Sequence, residues 1–214
     1  MYAKFWKRFF DFTLSLLALI VLSPILLILT IVGAIAMRGN PFFTQARPGK
    51  IDKKTGKEKI FKLIKFRTMS NKRDKDGNLL PDAERLNGYG KFLRKTSLDE
   101  LGELVNIVKG DMAIVGPRPL LVAYLPRYSA RQRRRHEVRP GLTGYAQAYG
   151  RNLLTWEEKF EKDVYYVDNL SFWLDVKIIF KTISVVLKRE GITSDTSVTM
   201  EEFTGSEVEL VNRE

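Results

Sequence analysis

The chain contains no cysteine and a single histidine, His136. The first absence excludes a disulfide scaffold, a thiol nucleophile and thiolate metal sites. The second leaves zinc only an unusual carboxylate-rich ligand set, and a Ser-His-Asp triad would have to be built on His136. No Walker or dinucleotide fingerprint is present, and no internal repeat is visible. What is present is 214 residues, enough for one ordinary domain, with 36 Lys+Arg against 25 Asp+Glu and a net charge of +11. Such an excess points to an anionic partner: nucleic acid, a membrane surface or a phosphorylated substrate. The charge is unevenly spread. Beyond residue 189 there are seven acidic residues against Arg213 alone, a tail of −6 on a body of +17. The tail is polar and aperiodic from Thr193 and reads as loosely ordered, with Phe203 as its one large anchor.

Charge is absent altogether from residues 12–37, a run of 26 rich in Leu and Ile. As one straight helix it would reach about 39 Å, more than the ~30 Å hydrocarbon core of a bilayer requires. It is too long for the apolar part of a cleavable signal, and no small-residue cleavage pattern precedes Gly39-Asn40-Pro41. Ser23-Pro24 interrupts it, and proline both removes an intrahelical bond and clashes with the preceding turn. The arms on either side, 12–22 and 25–37, each reach roughly 16–20 Å. Lys4, Lys7 and Arg8 flank one end; Arg38, Arg47, Lys50, Lys53 and Lys54 flank the other. Both ends therefore have a claim on the cytoplasm. These residues are equally compatible with a re-entrant helix and with a kinked single-pass anchor.

Beyond it, residues 41–47 and 60–69 read as two strands joined by a charged loop at 52–59, and 73–85 as a polar loop with an Asp76-Gly77 turn. Helical spacing covers 90–109, with Gly110 as C-cap. Residues 120–135 read as a helix kinked by Pro126, and 156–166 and 172–189 as two more. The last carries Val176, Ile179, Phe180, Ile183 and Leu187 on one stripe. It fits an interfacial helix lying on lipid as well as a core-facing one.

Three clusters can carry chemistry. Asp99-Glu100 are adjacent carboxylates early in a helix, preceded by Arg94 and Lys95, able to hold a hard cation, attack phosphorus or shuttle a proton. Arg118 lies between Pro117 and Pro119, which preorganise it for a phosphate or carboxylate. In the run from Arg139-Pro140-Gly141-Leu142-Thr143-Gly144 through Gln147 to Arg151-Asn152, glycines bracket Thr143. With Arg139 and Arg151 they suit a phosphate-lining loop. The basic run 131–135 reads as a solvated face or, beside a membrane segment, as a contact for anionic headgroups.

The order of the motifs is more specific than any one of them. Lys7-Arg8 and Asp11 open the apolar helix with its Ser23-Pro24. Phe43-Thr44-Gln45-Ala46-Arg47-Pro48-Gly49, Lys65-Phe66-Arg67-Thr68-Met69 and Leu98-Asp99-Glu100-Leu101 come next. Gly110-Asp111-Met112, Gly116-Pro117-Arg118-Pro119 and Arg139-Pro140-Gly141-Leu142-Thr143-Gly144 complete the series. The chain resembles the bacterial sugar transferases of the monotopic phosphoglycosyl transferase family, in the minimal catalytic form, over roughly residues 4–190.

The resemblance implies an enzyme that moves a sugar 1-phosphate from a UDP-sugar to a polyprenyl (undecaprenyl) phosphate and releases UMP. This is the first membrane step of glycoconjugate assembly. It implies Mg2+ held at Asp99 and Glu100, with Asp99 as the nucleophile that forms a covalent phosphosugar. Glu100 would help hold the metal or deprotonate the incoming lipid phosphate. Lys65, Arg94, Arg118 and Arg151 would neutralise substrate phosphates. Pro117, Pro119, Arg139, Thr143, Gln147 and Asn152 become candidates for the nucleotide loops. The Ser23-Pro24 break becomes that of a re-entrant helix at the cytoplasmic face of a bacterial inner membrane, with both termini cytoplasmic.

The fold expected is α+β and mostly helical. A re-entrant membrane helix (1–38) precedes a catalytic domain (39–190) with a short β-hairpin and amphipathic interfacial helices around a cytosolic active site; an acidic tail (191–214) ends the chain. Membrane lipids are then partners and nucleic acid is not. Two departures stand out. Gly102-Glu103 occupies the place where the family commonly has Pro-Gln, which should loosen the start of that helix and add charge near Asp99-Glu100. The loop at 51–59 also looks longer than the family's usual link. Two competing readings are a membrane-anchored basic module binding nucleic acid or anionic lipid through 131–135, and a Mg2+-dependent phosphohydrolase.

Overall fold

The computed structural model describes residues 2–150, 154–188 and 202–205. A π-helical turn, Tyr2–Trp6, leads into α1 (Lys7–Val21), and α2 (Ser23–Met37) continues at an angle of 65°. The break falls at Ser23-Pro24 for the expected reason. Pro24 sits in the first turn of α2, where a missing N–H leaves no bond unmade. The Ser23 hydroxyl donates to the Ile20 carbonyl at 2.7 Å, satisfying an acceptor at the end of α1. Among the described residues no single helix is long and apolar enough to cross a membrane, whereas the bent pair reaches that length and composition together. Its outer surface is strongly apolar, with Ile20, Val21, Leu27, Ile28 and Ile35 each more than half exposed.

The hairpin is antiparallel, β1 (Phe42–Ile51) with β2 (Glu58–Phe66), in a register that sets Phe43 opposite Lys65 and Arg47 opposite Phe61. The first strand runs past the expected end, and the second begins earlier and stops before residue 69. The link between them is therefore residues 52–57, shorter than expected. Pro48 is tolerated because the register shifts between it and Ile51. The turn at Asp76-Gly77 is present, with Gly77 at φ 83°, and a short helix, α3 (Asp82–Arg85), closes the loop.

Two expected helices are broken. Residues 90–109 form α4 (Gly88–Thr96), a 3-10 turn (Leu98–Gly102) and α5 (Glu103–Lys109). Ser97 separates them in the left-handed region at φ 56°, a conformation that ends α4 and redirects the chain into the 3-10 turn. Gly110 caps α5 at φ 89° as expected. Residues 120–135 are likewise a 3-10 segment (Val122–Arg127), then α6 (Ala130–Arg133), then a second 3-10 turn (Arg134–Glu137). Pro126 interrupts the first piece, and Ser129 restarts the chain with a capping box closed by Gln132. Strand β3 (Ala113–Val115) pairs in parallel with β4 (Gly141–Thr143). The remaining helices are α7 (Tyr145–Tyr149), α8 (Trp156–Asp168) and α9 (Phe172–Leu187). The chain is thus mixed α+β and mostly helical.

The basic run is not a free cationic face. Arg131 pairs with Glu161 and Arg133 with Glu58, each at 2.6 Å; Arg134 pairs with Glu137 and Asp168. Arg135 is buried, its Nε and Nη2 both donating to Asp163 Oδ2, and His136 is buried beside it. His136 is pushed down to about 3 by burial, with Arg135 adding like charge, so it stays neutral at ordinary pH. Helix α9 turns Asp175, Ile178 and Val185 inward and leaves Trp173, Phe180 and Ile183 exposed.

Helix α1 is tied to the body by polar contacts in its first turns. Lys7 lies 2.8 Å from Asp175 and 3.8 Å from Asp11, and all three are buried. Asp11 accepts the Ile114 N–H at 3.0 Å, and Asp175 also accepts the Tyr2 and Tyr166 hydroxyls. Arg8 donates to the Ile107 and Val108 carbonyls near the end of α5. Replacing Lys7 by Met strands two buried carboxylates and should destabilise the fold by about 3–5 kcal/mol. Thermal unfolding of the full chain in detergent checks this; an unchanged midpoint would contradict it.

Candidate active site

Lys65 ends β2, Asp99 and Glu100 lie on the 3-10 turn, Glu103 begins α5, and Arg118 lies just beyond β3. Gly102 brings the turn against β2, since a Cβ there would sit 2.8 Å from the Ile64 carbonyl oxygen. Glycine at this position therefore permits close packing, and the backbone stays helical rather than loosened. Asn106, fully buried on α5, locks the contact. Its Oδ1 accepts the Ile64 N–H at 2.9 Å and its Nδ2 donates to the Lys62 carbonyl at 2.8 Å.

This packing places Lys65 between two carboxylates, 2.9 Å from Glu100 and 3.0 Å from Glu103. Arg118 reaches the same Glu100 oxygen, Oε1, at 2.6 Å. Burial would raise Glu100, but Arg118 and Lys65 overcome it and hold the carboxyl down at about 2. Glu103, with almost no exposed side chain, goes the other way. Burial, helped by the charge of Glu100, lifts it to about 6 against the pull of Lys65. Asp99 is raised by burial and by its neighbour Glu100, and it forms no ion pair among the described residues. Three acids within five positions thus meet three different electrostatic environments.

Other candidates are placed elsewhere or in support. Pro117 and Pro119 are buried and hold an exposed Arg118 between them. Arg94, also exposed, donates through Nε to the Thr68 hydroxyl at 3.2 Å. Arg139 donates to the Gly110 carbonyl at the end of α5. Thr143 is buried with its hydroxyl 2.7 Å from that of Thr182. Gln147 donates to the Leu142 carbonyl, and its Oε1 is buried without a hydrogen bond. The glycines of this region serve close backbone approach: a Cβ on Gly141 or Gly144 would meet Gly116 at 2.1–2.2 Å. Arg151 and Asn152 lie outside the described residues.

Three further residues belong to the site that the motifs alone do not assign to it. Glu103 stands in the sequence only as a departure, and its partnership with Lys65 depends on the Gly102 packing. Arg47 faces Arg118 and Glu103, and is pushed down by burial and then by Arg118. Lys159 on α8 is lowered by burial and then by the same arginine. The one available signal for Arg47 is its place in the 43–49 motif; Lys159 has none.

The donor set suits a hard divalent cation. Both cationic contacts of Glu100 among the described residues fall on Oε1, leaving Oε2, and Asp99 adds a carboxylate outside any ion pair of those residues. No cluster of three or more His, Cys, Asp or Glu ligands occurs among the described residues. Mg2+ is commonly held by one or two carboxylates, with water and substrate phosphate completing its shell.

The bacterial sugar transferase family matches residues 2–189. An uncharacterized sugar transferase, EpsL, of Bacillus subtilis is 51% identical over 200 residues, covering 94% of this chain and 96% of that protein. The undecaprenyl-phosphate galactose phosphotransferase of Salmonella typhimurium is 36% identical over 208 residues, 88% of this chain and 42% of the longer relative. The UDP-glucose:undecaprenyl-phosphate glucose-1-phosphate transferase of Klebsiella pneumoniae is 38% identical over 186 residues, 83% of this chain and 39% of that relative. The match runs from the first turn of the bent helix to the end of α9 and takes in Lys65, Asp99, Glu100 and Arg118, so the chain belongs to the bacterial sugar transferase family.

Proposed function

We propose that the chain transfers a sugar 1-phosphate from a UDP-sugar to a polyprenyl phosphate with release of UMP, through a covalent intermediate on Asp99, as the first membrane step of glycoconjugate assembly. The observation that carries this reading is the division of labour between adjacent carboxylates. Glu100 is pinned by two cations, and Asp99 is raised and outside any ion pair among the described residues. A raised carboxylate is the more nucleophilic of the two. The names of the Salmonella and Klebsiella relatives support the donor and acceptor classes.

An Asp99 oxygen attacks the phosphorus bearing the sugar. An Asp99–phosphorus bond forms, the bridging phosphorus–oxygen bond breaks, and UMP leaves with the electron pair. An oxygen of the polyprenyl phosphate then attacks the same phosphorus and returns the carboxylate. Glu100, ionised down to about 2, is a poor proton acceptor, which favours its holding charge over deprotonating the lipid phosphate. Asp99 and the free Glu100 oxygen would hold Mg2+, which when bound supplies charge neutralisation to the diphosphate. Lys65 and Arg118 are positioned to bind and neutralise the phosphate oxygens of the donor, with Arg47 and Lys159 adding positive potential.

The bent apolar pair and the exposed Trp173, Phe180 and Ile183 of α9 support a monotopic seat on the cytoplasmic face of a bacterial inner membrane, where the lipid acceptor resides. The internal pairing of the arginine run takes the cationic strip away from a nucleic-acid-binding reading.

Purified chain with Mg2+, undecaprenyl phosphate and UDP-galactose, UDP-glucose or UDP-N-acetylgalactosamine should release UMP. Asp99→Asn should lower turnover by at least about 1000-fold. Release of UMP from none of these donors, or full turnover in Asp99→Asn, overturns the proposal; free sugar phosphate without acceptor would point to a hydrolase. Reporters fused at Met1 and at the C-terminus should both remain cytoplasmic, and Pro24→Leu should move the N-terminal one outward. An external N-terminus in the parent chain would contradict the re-entrant seat.

The site should also respond to pH. With Glu103 raised to about 6, lowering the pH through 6 neutralises it and leaves Lys65 paired with Glu100 alone. UMP release measured from pH 5 to 8 should show an inflection near 6. Glu103→Gln should remove it while retaining activity at pH 7.5. An inflection that persists in the variant assigns it to another group.

A further inference from the structure

The described residues 202–205 return to the body, and Phe203 is almost completely buried there. Its ring lies among Phe160 at 5.0 Å, Trp156 at 5.5 Å, Tyr124 at 5.7 Å and Tyr128 at 5.8 Å. Arg127 fixes the segment from outside, donating to the Glu202 carboxylate at 2.8 Å and to the Phe203 carbonyl.

The aromatic nest stands directly behind the site's arginine. The Tyr128 hydroxyl accepts from Arg135 Nη1 at 3.2 Å, and Arg135 Nη2 donates to the Arg118 carbonyl at 2.7 Å. Arg135 is itself held by Asp163 on α8, and its guanidinium lies over the Tyr128 and Phe160 rings at 5.7 and 5.5 Å. Arg118 then reaches Glu100. Pro117 and Pro119 supply no backbone N–H, so this loop is tethered through its carbonyls: Pro117 accepts the Gly141 N–H at 3.0 Å, and the Arg118 carbonyl is held by Arg135.

We infer that the Phe203 segment is a built-in clamp and Phe203 a positioning residue: by packing Tyr128 and Phe160 it holds Arg135, which holds the Arg118 backbone and so aims the Arg118 side chain at the donor's phosphate. The acidic tail thereby has a part in the site, through one aromatic plug and one carboxylate on Arg127. The inference rests on the reading of Arg118 as a phosphate-binding cation.

The test uses the full chain and three variants: Phe203→Ala, Phe203→Leu and Tyr128→Phe. Two readouts are taken: UMP release with UDP-galactose, UDP-glucose and UDP-N-acetylgalactosamine, and backbone hydrogen exchange over residues 115–122. Phe203→Ala should raise the donor KM about tenfold with a much smaller change in kcat, because the misaimed group is a binding cation. It should also speed exchange over 115–122 and leave the β1–β2 hairpin unchanged. Phe203→Leu should restore both. Tyr128→Phe keeps every ring in place while removing the hydroxyl that Arg135 contacts; it should raise KM in the same direction, and it carries the test alone where Phe203→Ala does not fold. An unchanged KM in Tyr128→Phe, or in Phe203→Ala a loss of kcat that merely tracks the folded fraction with unchanged exchange at 115–122, overturns the clamp. If the parent chain releases no UMP, the catalytic reading fails, and the exchange measurement still decides whether Phe203 holds this loop.

Discussion

Lys7, Asp11 and Asp175 form a buried charge cluster at the point where an apolar helix meets a basic domain, and the placement of everything beyond it depends on that knot. A helix as greasy as α1 has no apolar reason to choose one orientation against the body, since most of its surface is equally hydrophobic. Buried charges do choose, because each must find a partner or bear the cost of desolvation. Lys7 satisfies carboxylates from α1 and α9, Asp11 takes the Ile114 amide of β3, and Arg8 closes on carbonyls of α5. One turn and a half of helix thereby fixes α1 against three elements. The 3-10 turn bearing Asp99 and Glu100 leads directly into α5, so the position of the carboxylates relative to α1 is set by the same contacts.

The site applies the same rule to different effect. Lys65, Glu100, Glu103 and Arg118 carry two positive and two negative charges in a small, partly buried space, yet they do not pair off symmetrically. Glu100 receives both cations on one oxygen and is left firmly ionised; Glu103 shares a cation and is raised to about 6; Asp99 pairs with neither. Adjacency in sequence gives Asp99 and Glu100 nearly the same location and opposite electrostatic treatment. That separation lets one carboxylate form a bond to phosphorus while the other keeps its charge through the reaction.

Much of this is legible in the chain itself. The broken apolar run, the hairpin, the C-cap at Gly110 and the adjacent carboxylates all rest on local signals: absence of charge, alternation, glycine, adjacency. Where the structure departs, the deciding contact is distant in sequence. The apolar spacing of 90–109 continues across Ser97, because Leu101 of the 3-10 turn packs both on the cluster holding Leu93 of α4 and on the one holding Leu104 and Ile107 of α5; only the left-handed Ser97 backbone reveals the break. The arginines at 131–135 read as a solvated strip because Glu58, Glu161, Asp163 and Asp168 lie far from them along the chain. Each long-range pair converts an apparent binding surface into internal structure.

Gly102-Glu103 shows how two departures from a familiar pattern can be one. A side chain at position 102 would collide with the Ile64 carbonyl, so the glycine lets the turn sit closer to β2 than any other residue would. Closer approach draws position 103 into the interior beside Lys65, one residue along β2 from Ile64. A carboxylate buried there without a cation would be too costly to keep ionised, and Lys65 supplies one. The glycine thus creates the burial, the burial raises the glutamate, and the glutamate shares the lysine with Glu100. Each residue taken alone looks like a loosening or a stray charge; together they are a local repacking that preserves the cationic hold on the Asp99-Glu100 pair.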